Sequence, residues 1–420
     1  MLARLRRAGL VAFCSLPSVL PVALPVAVGI AAPAALVACG GGGGGAKHKT
    51  TPEHGTKVKQ PTADDVLAEA RAAASAGDVD KANAKYKQAE GMKQDVAIIE
   101  EHTKFLLGKR QPDEAVEIAK SYYDAKPADA RGQLNYAEAL IAAGKFAEAE
   151  EVDNNLLSID ENNAAGYEQR GRARVLDNKI DSGIDDLRKA VDLDPDNANF
   201  LTSLGSGLQA AKQTDEAALK LRAAVEKDPT NPRALRLLGV LSRDQFEVQE
   251  SVKWLLQATK ADPNDAEAWF QLAVSQNLLG DDKEAEASAQ RATELVTDNS
   301  RYWYVYGEML RINKQPDEAT AAYKKALEFK PPHPKASSKL ALTLYEAGKY
   351  DEAEVFITDA LKTDDKNPYL YYNLGWVYEA EKKYKLSVDA FQKYLDLAPK
   401  DDGDLGKAKA EIKSLKKKVH

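Results

Sequence analysis

Cysteine is almost missing from this chain: 420 residues hold two, Cys14 and Cys39. Nothing beyond residue 39 can form an internal disulfide, so whatever folds there must hold by packing alone. Histidine is nearly as scarce. The five are His48, His54, His102, His333 and His420, and none stands within a helical turn of another or of a cysteine, so no metal site is expected. Gly-x-Ser-x-Gly is absent, and the Gly205-Ser206-Gly207 triplet lacks both that spacing and a strand before it. No cofactor fingerprint is present, so no cofactor is expected and the chain does not read as an enzyme. Past residue 38 no apolar run is long enough to cross a bilayer. No stretch alternates with period two, so essentially no strand is expected.

The first 38 residues differ from the rest. Arg4, Arg6 and Arg7 precede an apolar run from Ala8 to Ala38 that contains no Asp, Glu or Lys. A basic start, an apolar run and small residues at its end describe a secretory signal. Pro17, Pro21, Pro25 and Pro33 would break a stable spanning helix. The run ends in Leu36-Val37-Ala38-Cys39, which resembles the lipobox of bacterial lipoproteins. That resemblance implies cleavage before Cys39, acylation of its thiol and a membrane anchor through the lipid. An ordinary signal peptide cut nearby, leaving a free thiol, is the alternative. The resemblance also implies a bacterial envelope. Gly40 rather than aspartate after the cysteine points to the outer membrane, facing the periplasm.

Six glycines follow Cys39, but they are no phosphate loop. Ala46 separates Gly45 from Lys47, and His48 follows where Ser or Thr is needed. Residues 39–61 contain almost nothing apolar and read as a flexible tether, its ends roughly 25 Å apart as a random coil. Without residues 1–38 the chain loses three arginines and no acid, which takes its formal charge from −7 to −10. That balance argues against nucleic acid as the main partner.

From residue 62 the chain repeats. "DLDPDNA" at Pro195, "EKDPTNP" at Pro229 and "KADPNDA" at Pro263 are spaced by 34. The same step reaches Thr297, Pro331, Asp365 and Pro399 in one direction and Glu161, Pro127 and Lys93 in the other. Ten residues after these turns stand Ala137, Gly171, Gly205, Gly239, Ala273, Gly307, Ala341 and Gly375. Small residues also recur at the phases of Ala149 and Ala190. Small residues at fixed phases mean helices whose backbones approach closely there. Between turns, apolar residues at three- and four-residue spacing mark two amphipathic helices per unit.

Unit 368–401 carries Tyr371, Leu374, Gly375, Tyr378, Ser387, Phe391 and Pro399; unit 300–333 carries Trp303, Tyr306, Gly307, Leu310, Ala319, Tyr323, Ala326 and Pro331. This order resembles the tetratricopeptide repeat. The resemblance implies an all-α, right-handed superhelical solenoid. Ten units fit: 62–95, 96–129, 130–163, 164–197, 198–231, 232–265, 266–299, 300–333, 334–367 and 368–401. The first is one residue out of phase, and the second has Thr103 where a small apolar residue belongs. Residues 402–420 read as a capping helix, with Leu405, Ala408, Ile412, Leu415 and Val419 on one face and lysines around them.

In the family that the repeats resemble, positions 2, 5, 9 and 12 of each unit face a concave groove. Mapped here, they include Arg233, Arg236 and Arg243 in the sixth unit and Phe270 in the seventh. Arg301, Tyr304 and Arg311 follow in the eighth, Tyr345 in the ninth, and Tyr369, Tyr372 and Trp376 in the tenth. Arginine and aromatic residues carry much of the energy of interfaces. The expected partner is a protein or peptide segment with acidic groups and apolar anchors. The implied role is a scaffold, with activation of an envelope enzyme such as a peptidoglycan synthase as the alternative.

Overall fold

The computed structural model describes residues 60–419. The expected signal at 1–38, Cys39 with its expected lipid and nearly all of the tether lie outside the described residues. Among the described residues there are 21 helices and no strand. Twenty of them pair into ten helix–turn–helix units, and Leu405–Leu415 follows as the capping helix. The protein is an all-α solenoid. From the second unit to the eighth, first helices begin at residues 96, 130, 164, 198, 232, 266 and 300, so the 34-residue period of the sequence is the period of the structure.

Two local devices set that period. The first is the cap. Asp95, Asp129, Asn163, Asn197, Asn231, Asp265, Asn299 and Asn367 each precede a first helix and accept a backbone N–H of its first turn. Each such cap stabilises its helix by about 1 kcal/mol. The ninth unit departs from the pattern. His333 occupies the cap phase, prolines stand at 331, 332 and 334, and the helix starts late, at Ala336.

The second device is the turn between the paired helices. One residue there has left-handed backbone in every unit: Gly77, Arg110, Gly144, Asn178, Lys212, Phe246, Gly280, Lys314, Gly348 and Lys382.

Packing follows the small-residue phases. A Cβ on Gly239 would lie 2.5 Å from the Leu255 side chain, and one on Gly375 would lie 2.7 Å from Phe391. Those glycines are the points at which a first helix meets its own second helix. Thr103 takes the same place in the second unit. It is buried, and its hydroxyl accepts from the Asn135 amide at 3.1 Å.

The described residues divide into two compact units, 60–195 and 196–419. In the first, cores centre on Tyr86 and Ile98 and on Leu106, Tyr136 and Leu140. In the second, one core runs from Ala266 to Ala390, and a smaller one joins Phe391 and Tyr394 to Ala408, Ile412 and Leu415 of the last helix.

Phe246 is the misfit among the turn residues. It is 83 % exposed with a φ of 64°, so it buries little and still bears the strain of left-handed backbone. Asn178 holds the equivalent place in the fourth unit at little steric cost. Phe246→Asn should therefore stabilise residues 196–419 by about 1 kcal/mol, read as a higher urea midpoint with an unchanged slope.

Candidate functional site

The first helices of units six to ten were expected to line a groove with arginine and aromatic side chains. The structure divides those residues into three groups.

One group is core. Arg243, in helix Pro232–Asp244, is 1 % exposed; its guanidinium donates to the Gln271 side-chain oxygen and lies 3.4 Å from the Asp244 carboxylate. Phe270 is also 1 % exposed and stacks on Tyr302, with ring centroids 5.1 Å apart. Tyr304 is buried and stacks on His333 at 3.8 Å. Burial, with Lys335 and Arg301 nearby, pushes the His333 imidazole down to about 4, so it is a neutral packing partner at physiological pH. These three assignments to an open groove are corrected. Consecutive repeats stack so closely that the next unit covers Arg243 and Phe270, while Tyr304 is covered by His333 at the turn into the ninth unit.

A second group ties one repeat to the next. Arg236 Nε donates to Asp265 Oδ2 at 2.9 Å, and the other oxygen of Asp265 caps helix Ala266–Leu279 through the Ala268 N–H at 3.0 Å. Arg301 donates to Glu267 Oε1 at 3.0 Å and lies over the Phe270 ring at 4.2 Å. Glu267 also accepts from the Gln271 amide at 2.6 Å and from the Tyr302 hydroxyl at 2.9 Å. Arg233 donates to Ser203 Oγ at 3.2 Å.

The third group remains partly open. Arg311 pairs with Glu346 at 3.2 Å and approaches buried Glu308 at 3.5 Å. Burial pulls the Glu308 carboxyl upward, but Lys339 at 3.1 Å and Arg311 outweigh it and hold the group below the usual carboxylate range. Tyr345 is half-buried against Tyr350. Tyr372 and Trp376 are half-buried and pack with Phe391 and the capping helix. Tyr369 is 43 % exposed, and its hydroxyl donates to Asp402 at 2.8 Å; burial and that bond push the phenol up to about 12.

Glu267 and Glu308 stand at groove positions two and nine of units seven and eight, but nothing in one repeat shows what they do. Sequence reasoning did not single out Gln271 or Lys339. The signal was available: Arg301 and Glu267 stand one repeat apart, as do Arg172 and Glu138 in the fourth and third units, joined at 2.8 Å. Among the described residues no group of three or more His, Cys, Asp or Glu could hold a metal ion.

The family models match without a gap from residue 106 to residue 401, and each is described as tetratricopeptide repeat. The matched segments are 106–168 and 310–371; 169–232, 202–266 and 280–334; 254–287; and 368–401. The chain is a tetratricopeptide repeat protein. It is similar to human tetratricopeptide repeat protein 7B, at 30 % identity over 94 residues; the match covers 22 % of this chain and 11 % of that protein, so the chain spans about a tenth of its relative. Among solved structures, the Cut9–Hcn1 hetero-tetramer of the APC/C matches with a TM-score of 0.51 and 14 % identity, over 84 % of this chain and 76 % of the other. The human IFIT1 dimer with m7Gppp-AAAA matches with a TM-score of 0.47 and 14 % identity, over 81 % and 91 %. At these identities the likeness is one of fold.

These matches correct the location expected from the N-terminus. The same fold occurs in the Cut9–Hcn1 hetero-tetramer of the APC/C, so it does not point to a bacterial envelope, and no described helix is long and apolar enough to cross a membrane. The outer-membrane, periplasm-facing assignment is withdrawn. Activation of a peptidoglycan synthase depended on that location and is withdrawn with it.

Two outcomes test the electrostatic assignments. Arg243→Ala should destabilise residues 196–419 by about 3 kcal/mol, because it opens a cavity and strips Gln271 of its donor; chemical denaturation reads this. The second outcome concerns Asp153 in helix Phe146–Ile159. Neither of its buried oxygens has a partner, and burial, reinforced by Glu168, pushes the carboxyl up to about 8 against Arg170 and Arg172. The folded chain therefore holds this proton more tightly than the unfolded chain. Residues 60–195 should lose stability as pH rises from about 4 to about 8, and Asp153→Asn should flatten that slope in melts across the range.

Proposed function

We propose that this protein is a scaffold that holds a peptide segment of another protein along the first helices of units eight to ten. The tetratricopeptide fold serves as a protein- and peptide-binding scaffold through its concave groove. In this chain the supporting observation is the Arg311 pairing. Its partner Glu346 has a side chain 47 % exposed, so the bond contributes at most about 1 kcal/mol. A ligand carboxylate can exchange with it, while the charge on Arg311 stays useful to Glu308. Tyr345 follows on the next first helix and offers an aromatic anchor, with Trp376 on the one after. The ligand is an extended or helical segment with an acidic group and an apolar side chain about one repeat apart.

The test combines capture and titration. A photoreactive residue at Tyr345 captures the partner, and its crosslinked segment is then titrated. Arg311→Lys keeps a cation beside Glu308 but loses the two-pronged geometry that grips a carboxylate. Together with Tyr345→Ala it should weaken binding at least about tenfold, with little change in melting temperature. Arg222, exposed on the second helix Thr214–Lys227, is the control. Equal affinity for wild type and the double variant would refute the groove.

A further inference from the structure

The capping helix Leu405–Leu415 continues the repeat register. Thirty-four residues after Tyr371, Leu374 and Tyr378 come Leu405, Ala408 and Ile412. Ala408, Ile412 and Leu415 are buried against the tenth unit, as the first helix of another repeat would be. The opposite face is where ten earlier first helices receive their second helix. There the register puts Lys409 in the place held by Gly375, Gly307 and Gly239. A Cβ at those glycines would meet the second helix at 2.5–2.8 Å. A second helix cannot close on Lys409 in the ordinary way, and this face is exposed at residues 406, 407, 409, 410, 413 and 414.

Charge distinguishes the face. Lys409, Lys413, Lys416 and Lys417 are exposed, and among the described residues none has a carboxylate partner, whereas Lys407 pairs with Asp404 at 2.7 Å and Lys418 with Glu379 at 3.2 Å. Lys409, Lys413 and Lys416 follow at four and three residues, a stripe about 10 Å long on one side of the helix. Glu411, the only acid of the helix, is half-buried and feels Glu379 and Lys418.

The geometry points to a second binding surface, independent of the groove: the lysine stripe of the capping helix takes an acidic protein segment, rich in Asp and Glu, by charge pairing rather than by helix closure. An anionic membrane is the poorer fit. A helix that lies in a bilayer surface inserts apolar side chains; Leu405, Ala408, Ile412 and Leu415 are already spent on the tenth unit, and Val419, expected on the same face, lies beyond the helix as a single exposed apolar side chain. The stripe between the lysines holds only Gly406, Ala410 and Ser414.

The probe is a fluorescein-labelled peptide of alternating glutamate and alanine, titrated against the full chain by anisotropy at low salt. Vesicles containing phosphatidylserine form the parallel arm. Lys409→Glu, Lys413→Glu and Lys416→Glu together should lower peptide affinity at least tenfold, and added salt should weaken wild-type binding. The milder Lys→Gln triple at the same positions should lose most of the binding without added repulsion. Circular dichroism should show both triples folded. A dispersed triple, Lys283→Glu, Lys324→Glu and Lys366→Glu, makes the same change in net charge on exposed sites of other units and should bind like wild type. Three results would overturn the proposal: no peptide binding by wild type, equal losses in the clustered and dispersed triples, or lysine-dependent binding to vesicles but not to the peptide. Because none of these residues faces Arg311 or Tyr345, failure here leaves the groove reading standing, and failure of the groove leaves this one.

Discussion

Everything in this solenoid rests on how closely two helices of one repeat can approach. At Gly239 and Gly375 the neighbouring side chain already sits where a Cβ would go. That contact sets the spacing within each helix pair. The pairs then stack so tightly that the next first helix buries side chains a looser array would leave open. Caps and left-handed turn residues keep the contact in register by starting each first helix at the same phase and reversing the chain at the same phase. Where the cap fails, in the ninth unit, the helix starts late but the small residue Ala341 is still buried. Packing tolerates a shifted helix start better than an oversized side chain.

Charges follow from the same closeness. Side chains on successive first helices are near neighbours in space although they stand about 30 residues apart in sequence. Arg236 reaches Asp265, Arg301 reaches Glu267, and Lys339 reaches Glu308. A buried cation or carboxylate without such a partner would be costly. Glu308 escapes that cost because two cations face it, whereas Asp153 has no partner for either oxygen and keeps its proton instead. The polar residues of the inner face are thus divided between holding the repeats together and meeting a ligand, and most of them do the first. Arg311 stands at the boundary. One side supports a buried carboxylate, and the other faces a carboxylate that solvent can reach.

The sequence by itself determined the repeat length, the helical class, the phases of the small residues and the place of the capping helix. Each of these depends on local chemistry, on who caps a helix, who can take left-handed backbone and which face is apolar, and local chemistry is written residue by residue. The openness of the inner face was decided only by the tertiary structure. Arg243 and Arg311 hold the same position in units six and eight. Yet the Arg243 side chain is wholly covered, with Gln271 of the next unit as its partner, while that of Arg311 stays 20 % exposed beside Glu346. Phe270 and Tyr372, which share the fifth position of units seven and ten, differ in the same way: the first is sealed by Tyr302, and the second is half-buried against the cap. Exposure belongs to a residue together with its neighbour one repeat away, and a position within one repeat does not specify that neighbour.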